Sequence, residues 1–143
     1  MSMVIDLHAH VVLEESFGAA GKYGPELSSD PKLQEFRVGD YAIRVPYKDS
    51  IFMDAQKRVD AMDSLGIDLQ LLSPNPLSFF GHIETEEALR FARASNDAMT
   101  KHIGPFPDRL LGAASVPLQN PEVACEELRR AVHDLGLIAA YIG

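Results

Sequence analysis

The sequence predicts an α/β fold in which parallel strands alternate with the helices that cover them. Three observations carry this reading. Short apolar runs recur along the chain, most are followed by a stretch of helical period, and glycines or proline-containing caps mark the junctions. Residues 3–8 form a first strand, apolar with β-branched members and ending in polar chemistry, as expected of a buried parallel strand with a functional C-terminal end. Residues 14–48 hold no period and are rich in turn formers such as Gly18, Gly21, Gly24, Pro25 and Pro31, so a long excursion leaves the first strand here. Within it, residues 35–38 and 41–45 read as a hairpin about Gly39-Asp40.

A first helix follows, because Phe52, Ala55, Val59, Met62 and Leu65 recur at spacings of three and four while Asp54, Lys57, Arg58 and Asp60 fill the other face. Gly66 stops it. Residues 67–73 make a second strand and residues 74–82 a loop. The second helix begins at Thr85 as cap, with Glu86 and Glu87 in the dipole-favoured first turn, and carries the stripe Ala88, Ala92, Met99, Ile103 up to Gly104-Pro105. Residues 109–116 are a third strand. Asn120-Pro121-Glu122 caps a third helix with the stripe Ala124, Leu128, Ala131, Leu135, which ends at Gly136, and residues 137–142 form a fourth strand.

This order requires a parallel sheet with right-handed crossovers, and it is the order of a (β/α)8 TIM-type barrel. A complete barrel takes roughly 250 residues. The 143 residues are therefore expected to supply about the first four β/α units, a single N-terminal half of a barrel over residues 1–143 with an inserted excursion at about 14–48.

Composition narrows the function classes. Hydrophobic residues make up 46% and charged residues 24%, ordinary for a globular chain. The net charge of −8 comes without any basic cluster, which argues against nucleic acid and anionic membrane surfaces as partners. No basic and apolar leader opens the chain, and the single cysteine, Cys125, fits a reducing compartment, so cytoplasmic residence is expected. Cys125 itself reads as a buried structural thiol within the third helix.

The chemistry concentrates in Asp6-Leu7-His8-Ala9-His10. The two-residue period of a strand points Asp6, His8 and His10 to one side, and at the C-terminal mouth of a barrel strand two imidazoles can hold a divalent metal. Asp6 lies deeper and suits support of the ligands rather than ligation. His102 and His133 fall within helices and read as surface residues, whereas His82 and Phe80, with Phe79, follow the second strand at the mouth, where they could touch a substrate.

The stretch Ile5-Asp6-Leu7-His8-Ala9-His10 resembles the first-strand metal motif of the amidohydrolase superfamily. Later stretches resemble the amidohydrolase-related branch typified by aminocarboxymuconate semialdehyde decarboxylase: Arg58-Val59-Asp60-Ala61-Met62-Asp63 with Gly66-Ile67-Asp68, Ser95-Asn96-Asp97, Pro107-Asp108-Arg109-Leu110, Val116-Pro117-Leu118-Gln119 and Tyr141-Ile142-Gly143. The resemblance implies His8 and His10 as metal ligands, with zinc as the expected ion and manganese as the alternative. It implies Arg44 as the partner of a substrate carboxylate, which a bidentate guanidinium suits. The remaining ligands and the acid/base histidine would lie beyond the equivalent of Gly143. The expected function is decarboxylation of a small carboxylated, unsaturated or aromatic acid by a homo-oligomer. A hydrolase or hydratase of the same superfamily is one alternative, and a non-catalytic half-barrel that needs a partner is an alternative of another class.

Overall fold

The computed structural model describes residues 2–30 and 32–142. Its main sheet is built from β1 (Ile5–Val11), β5 (Leu69–Pro74), β6 (Leu110–Ala114) and β7 (Ala139–Ala140), all parallel and in the spatial order β1-β5-β6-β7. The helices α1 (Ala55–Leu65), α2 (Thr85–Ile103) and α3 (Pro121–His133) lie between successive strands of this sheet. Sequential parallel strands joined by helices are the geometry of a (β/α)8 barrel, of which this chain forms a part.

The excursion after β1 is folded. Two short 3₁₀ turns, Glu14–Ser16 and Gly21–Tyr23, lead into β2 (Glu26–Leu27), β3 (Glu35–Val38) and β4 (Tyr41–Arg44), an antiparallel sheet of order β2-β3-β4. The hairpin turns at Gly39-Asp40 as the sequence predicts, with Val38 opposite Tyr41 and Phe36 opposite Ile43. Alternation buries Phe36 and Val38, which join Val12, Tyr47, Phe80, Ile83 and Phe91 in one apolar cluster. A second cluster under the parallel sheet unites Val11, Val59, Met62, Leu72, Met99, Leu110 and Leu137.

Local chemistry explains most element ends. The Asp54 side chain accepts the Lys57 N–H at 3.0 Å and Gly66 closes α1 in the left-handed region at φ +69°. Asn120 caps α3 by accepting the Val123 N–H at 3.2 Å, with Pro121 first in the helix. Other expectations need correction. Thr85 is the first residue of α2, and Glu84 stands at its cap without a side-chain hydrogen bond. The fourth strand pairs over only Ala139–Ala140, while Ile138 and Ile142 are exposed. Cys125 is exposed, because α3 buries Ala124, Glu127 and Ala131 and turns position 125 outward.

Glu127 is a buried charge, 1% exposed. Its carboxylate accepts from Asn96 Nδ2 at 2.8 Å and from Arg130 Nε and Nη2 at 2.9 and 2.8 Å. Asn96 in turn accepts the Ser115 N–H at 2.7 Å and donates to the Ser115 carbonyl at 3.0 Å, so α2 and α3 grip the segment leaving β6. Both partners of each buried polar contact are satisfied, the condition under which such a network rigidifies a core.

Close packing at Gly112 ties β6 to α2 and to the approach to β7. A Cβ there would sit 2.7 Å from Met99 Cγ and 2.8 Å from Leu137 Cδ2. Gly112→Ala is therefore expected to destabilise the chain by about 1–3 kcal/mol through overpacking. Urea unfolding checks this, and an unchanged midpoint would mean that α2 and Leu137 part freely.

Candidate metal centre

A bulge in β1 sets the site. Register runs Asp6↔Gln70 and then Ala9↔Leu72, three steps on β1 against two on β5. One extra residue exchanges the faces of everything beyond it. Strict alternation would put Asp6 with His8 and His10, and Leu7 with Ala9. Instead Asp6 pairs with Gln70, Ala9 packs into the core cluster that holds Leu72, and Leu7 is 69% exposed. Asp6 thus parts from the histidines and turns to the side of α1.

Beyond the bulge His8 and His10 come together, their ring centroids 4.8 Å apart and their planes at 80°. His8 is exposed and His10 half-buried. His10 Nδ1 lies 2.8 Å from Ser73 Oγ, and the Ser73 hydroxyl donates to the Ala9 carbonyl at 3.3 Å. A hydroxyl has one proton, so with it on the Ala9 carbonyl the serine accepts from Nδ1–H, the tautomer that keeps the Nε2 lone pair for a metal. Burial, and then the neighbouring His8, lower the pKa of His10 from 6.5 and favour the neutral ring that a metal requires.

Beneath the pair runs a relay of side chains. Arg58 on α1, 4% exposed, donates through Nη2 to the His10 carbonyl at 2.6 Å and through Nη1 to Gln70 Oε1 at 2.9 Å. Gln70 Nε2 donates to Asp6 Oδ2 at 2.7 Å, and Asp6 Oδ1 accepts the His8 N–H at 3.0 Å. That backbone donor is the main reason the Asp6 carboxylate titrates below its ordinary 3.8, with Gln70 adding to it against the effect of burial. The sequence reading placed Arg58 on the solvent face of its helix. The structure corrects this, since the long side chain reaches under the strand to polar partners that the apolar stripe does not reveal.

The other expected residues divide. Phe80 packs into the core against Phe91, ring centroids 4.7 Å apart, while Phe79 stands beside Tyr141 at 6.3 Å and Tyr141 beside His10 at 5.8 Å. Tyr141 therefore flanks the His10 ring, with Phe79 against Tyr141, and Phe80 is 6% exposed. Tyr141 could have been found from its place at the mouth end of the fourth strand. His82 is exposed, next to the rings of Tyr23 and Phe80. Arg44 is exposed at the end of the edge strand β4. His133 is exposed as expected, but His102 is half-buried and its Nε2 has no hydrogen-bond partner among the described residues.

Two imidazoles converging with free nitrogen lone pairs fit a divalent cation. Among the described residues no group of three or more His, Cys, Asp or Glu side chains could hold one, so a complete site would need ligands besides the two imidazoles. Two clefts, about 570 Å³ between Glu14, Asp54 and His102 and about 500 Å³ around Asp63, Asp68 and Arg109, are not lined by either imidazole.

The partial parallel barrel thus carries a histidine pair at the C-terminal end of its first strand. The chain belongs to the amidohydrolase family, whose profile matches residues 5–142. It is 34% identical over 137 residues to gamma-resorcylate decarboxylase of Rhizobium sp. (strain MTP-10005), covering 95% of this chain and 39% of that protein. It is 29% identical over 148 residues to 2-amino-3-carboxymuconate-6-semialdehyde decarboxylase of Dictyostelium discoideum, covering 99% of this chain and 40% of that one. A dihydroxybenzoic acid decarboxylase from Polaromonas sp. JS666, solved with manganese and the inhibitor 2-nitroresorcinol, superposes with a TM-score of 0.70 at 30% identity, over 98% of this chain and 38% of that one. The chain thus spans about two fifths of the length of the relatives it matches.

His102 gives the stability of the fold a pH dependence. Burial first, then the charge of Arg58, lower its pKa from 6.5, while Glu15 and Asp54 oppose this weakly. A histidine less basic when folded binds fewer protons in the native state than in the unfolded one, so stability falls as pH drops below 6.5. His10 has the same sign. Unfolding free energy is expected to decline from neutrality through that window, and less steeply in His102→Leu. Identical pH profiles for the two chains would remove His102 as a cause.

Proposed function

We propose that the polypeptide carrying this chain is a metal-dependent decarboxylase of a small aromatic or unsaturated carboxylic acid. The observation that carries the reading is the convergence of His8 and His10 at the mouth end of β1. Its setting supports the reaction type, because the gamma-resorcylate and 2-amino-3-carboxymuconate-6-semialdehyde decarboxylases match along nearly the whole chain. His8 and His10 would hold the ion together with ligands from outside the described residues. A bound divalent ion would supply Lewis-acid polarisation of the substrate's oxygens. Zinc suits two imidazoles, and manganese is the ion held by the Polaromonas relative.

The chain's own residues have separable tasks. Burial favours the neutral form of His10, and Ser73 orients its ring through Nδ1. Tyr141 beside His10, with Phe79 against Tyr141, offers aromatic surface against which a planar acid can lie. Arg44 is the candidate partner of the substrate carboxylate: its exposed guanidinium can pair in two-pronged fashion with a carboxylate on a mobile or incoming ligand. The exposed free thiol of Cys125 suits a reducing compartment, and we assign the protein to the cytoplasm as a homo-oligomer.

The reading is tested on the native-length polypeptide loaded with manganese or zinc and offered 2,6-dihydroxybenzoate and related acids, with released CO₂ as the readout. His8→Ala/His10→Ala should lose stoichiometric metal and CO₂ release together while still unfolding cooperatively. A folded double variant that keeps its metal would contradict the ligand assignment, and hydrolysis without CO₂ release would contradict the reaction. For the carboxylate partner, Arg44→Ala should lower kcat/KM at least tenfold, about 1.4 kcal/mol, with partial recovery in Arg44→Lys. Unchanged kinetics would return Arg44 to an exposed residue of an edge strand.

A further inference from the structure

The Arg58 relay costs more than packing alone would justify. A guanidinium 4% exposed carries a desolvation penalty, which burial shows by lowering its pKa, and the opposing charge of Asp6 reaches it only across the neutral Gln70 amide. Apolar replacements of buried ionic groups often cost nothing or stabilise. What an apolar side chain could not do is hold the backbone by hydrogen bonds at defined points. Burial of Ala9 and Val11 opposes a slip of β1 by one residue, but it does not fix the peptide groups on either side of the extra residue. The relay grips β1 on both sides of its extra residue: at Asp6, whose carboxylate also holds the His8 N–H, and at the His10 carbonyl. The two gripped points bracket the imidazoles.

We propose that Arg58 is the positioning residue of the histidine pair: through Gln70 and Asp6 on one side of the bulge and the His10 carbonyl on the other, it fixes the backbone that brings His8 and His10 together for a divalent cation. This rests on the metal reading above and goes beyond it, because it assigns the site's geometry to a residue that touches neither metal nor substrate. Ser73 sets the ring of His10, and Arg58 sets the strand that carries both rings. Gln70 is the link between the two ionic groups.

The test compares Arg58→Met, Arg58→Lys and Gln70→Leu with the parent in the native-length polypeptide. Three quantities are read: affinity for manganese and zinc by competition with a chromophoric chelator, hydrogen exchange of the His8 amide in the metal-free protein, and cooperativity of urea unfolding. Arg58→Met is expected to unfold cooperatively, to bind metal at least tenfold more weakly and to exchange the His8 amide faster. Arg58→Lys should recover part of both losses, since one ammonium can reach the His10 carbonyl or Gln70 but not span both. A cooperatively folded Arg58→Met with parental affinity and parental His8 protection overturns the proposal. Should Arg58→Met fail to fold, Gln70→Leu, which keeps the arginine and cuts the link to Asp6, gives the same two readings with the same meaning. If the parent itself binds no metal, the metal reading falls, and exchange at the His8 amide alone decides the clamp: acceleration supports it and no change overturns it.

Discussion

One extra residue in β1 governs what this chain can do. Without the bulge between Asp6 and Ala9, the carboxylate and both imidazoles would share a face, and the residues beyond would exchange their packing for exposure. With it, Ala9 and Val11 enter the core under the sheet and the imidazoles turn to the other side. Packing and chemistry are therefore settled by the same backbone irregularity. The hydrogen bonds from Arg58 and Gln70 to β1 and Asp6 lie where that irregularity must be held.

The rest of the fold supports this strand end in layers. Helix α1 delivers Arg58 because Asp54 starts it and Gly66 ends it at fixed points, so the guanidinium arrives opposite Gln70. Strand β5 supplies both Gln70, toward α1, and Ser73, toward His10, on opposite faces as alternation demands. Farther out, Glu127 and Asn96 fix the exit of β6, and the exit of β7 places Tyr141 beside His10. The excursion forms a small sheet whose apolar face joins the loop after β5 and the start of α2, which explains how a glycine-rich stretch is ordered.

Much of this was legible in the sequence. The strand–helix alternation, the hairpin at Gly39-Asp40, the Asn120-Pro121 cap and the histidine pair all follow from local period or local chemistry, which is why they were found. What escaped depends on pairing between distant segments. A bulge leaves no mark in a five-residue motif, because alternation is the only prior the motif offers. Arg58 lies three residues after Ala55 and four before Met62, in phase with the buried stripe, yet its charge sends any pattern reading to the solvent face. Glu127 hides in the run Glu126-Glu127-Leu128-Arg129-Arg130 for the same reason. Cys125 erred the other way, an apolar residue type at an outward position of α3.

The central claim is that His8 and His10 share one cation through nitrogens left free by the packing around them. Heteronuclear NMR of the native-length protein, loaded with cadmium-113 and labelled with nitrogen-15 at histidine, tests it most directly. The account predicts metal–nitrogen coupling from one ion to both imidazoles, with His10 bound through Nε2 while its Nδ1 keeps the proton shared with Ser73. A folded, fully loaded protein in which either ring shows no coupling, or in which His10 binds through Nδ1, would contradict it.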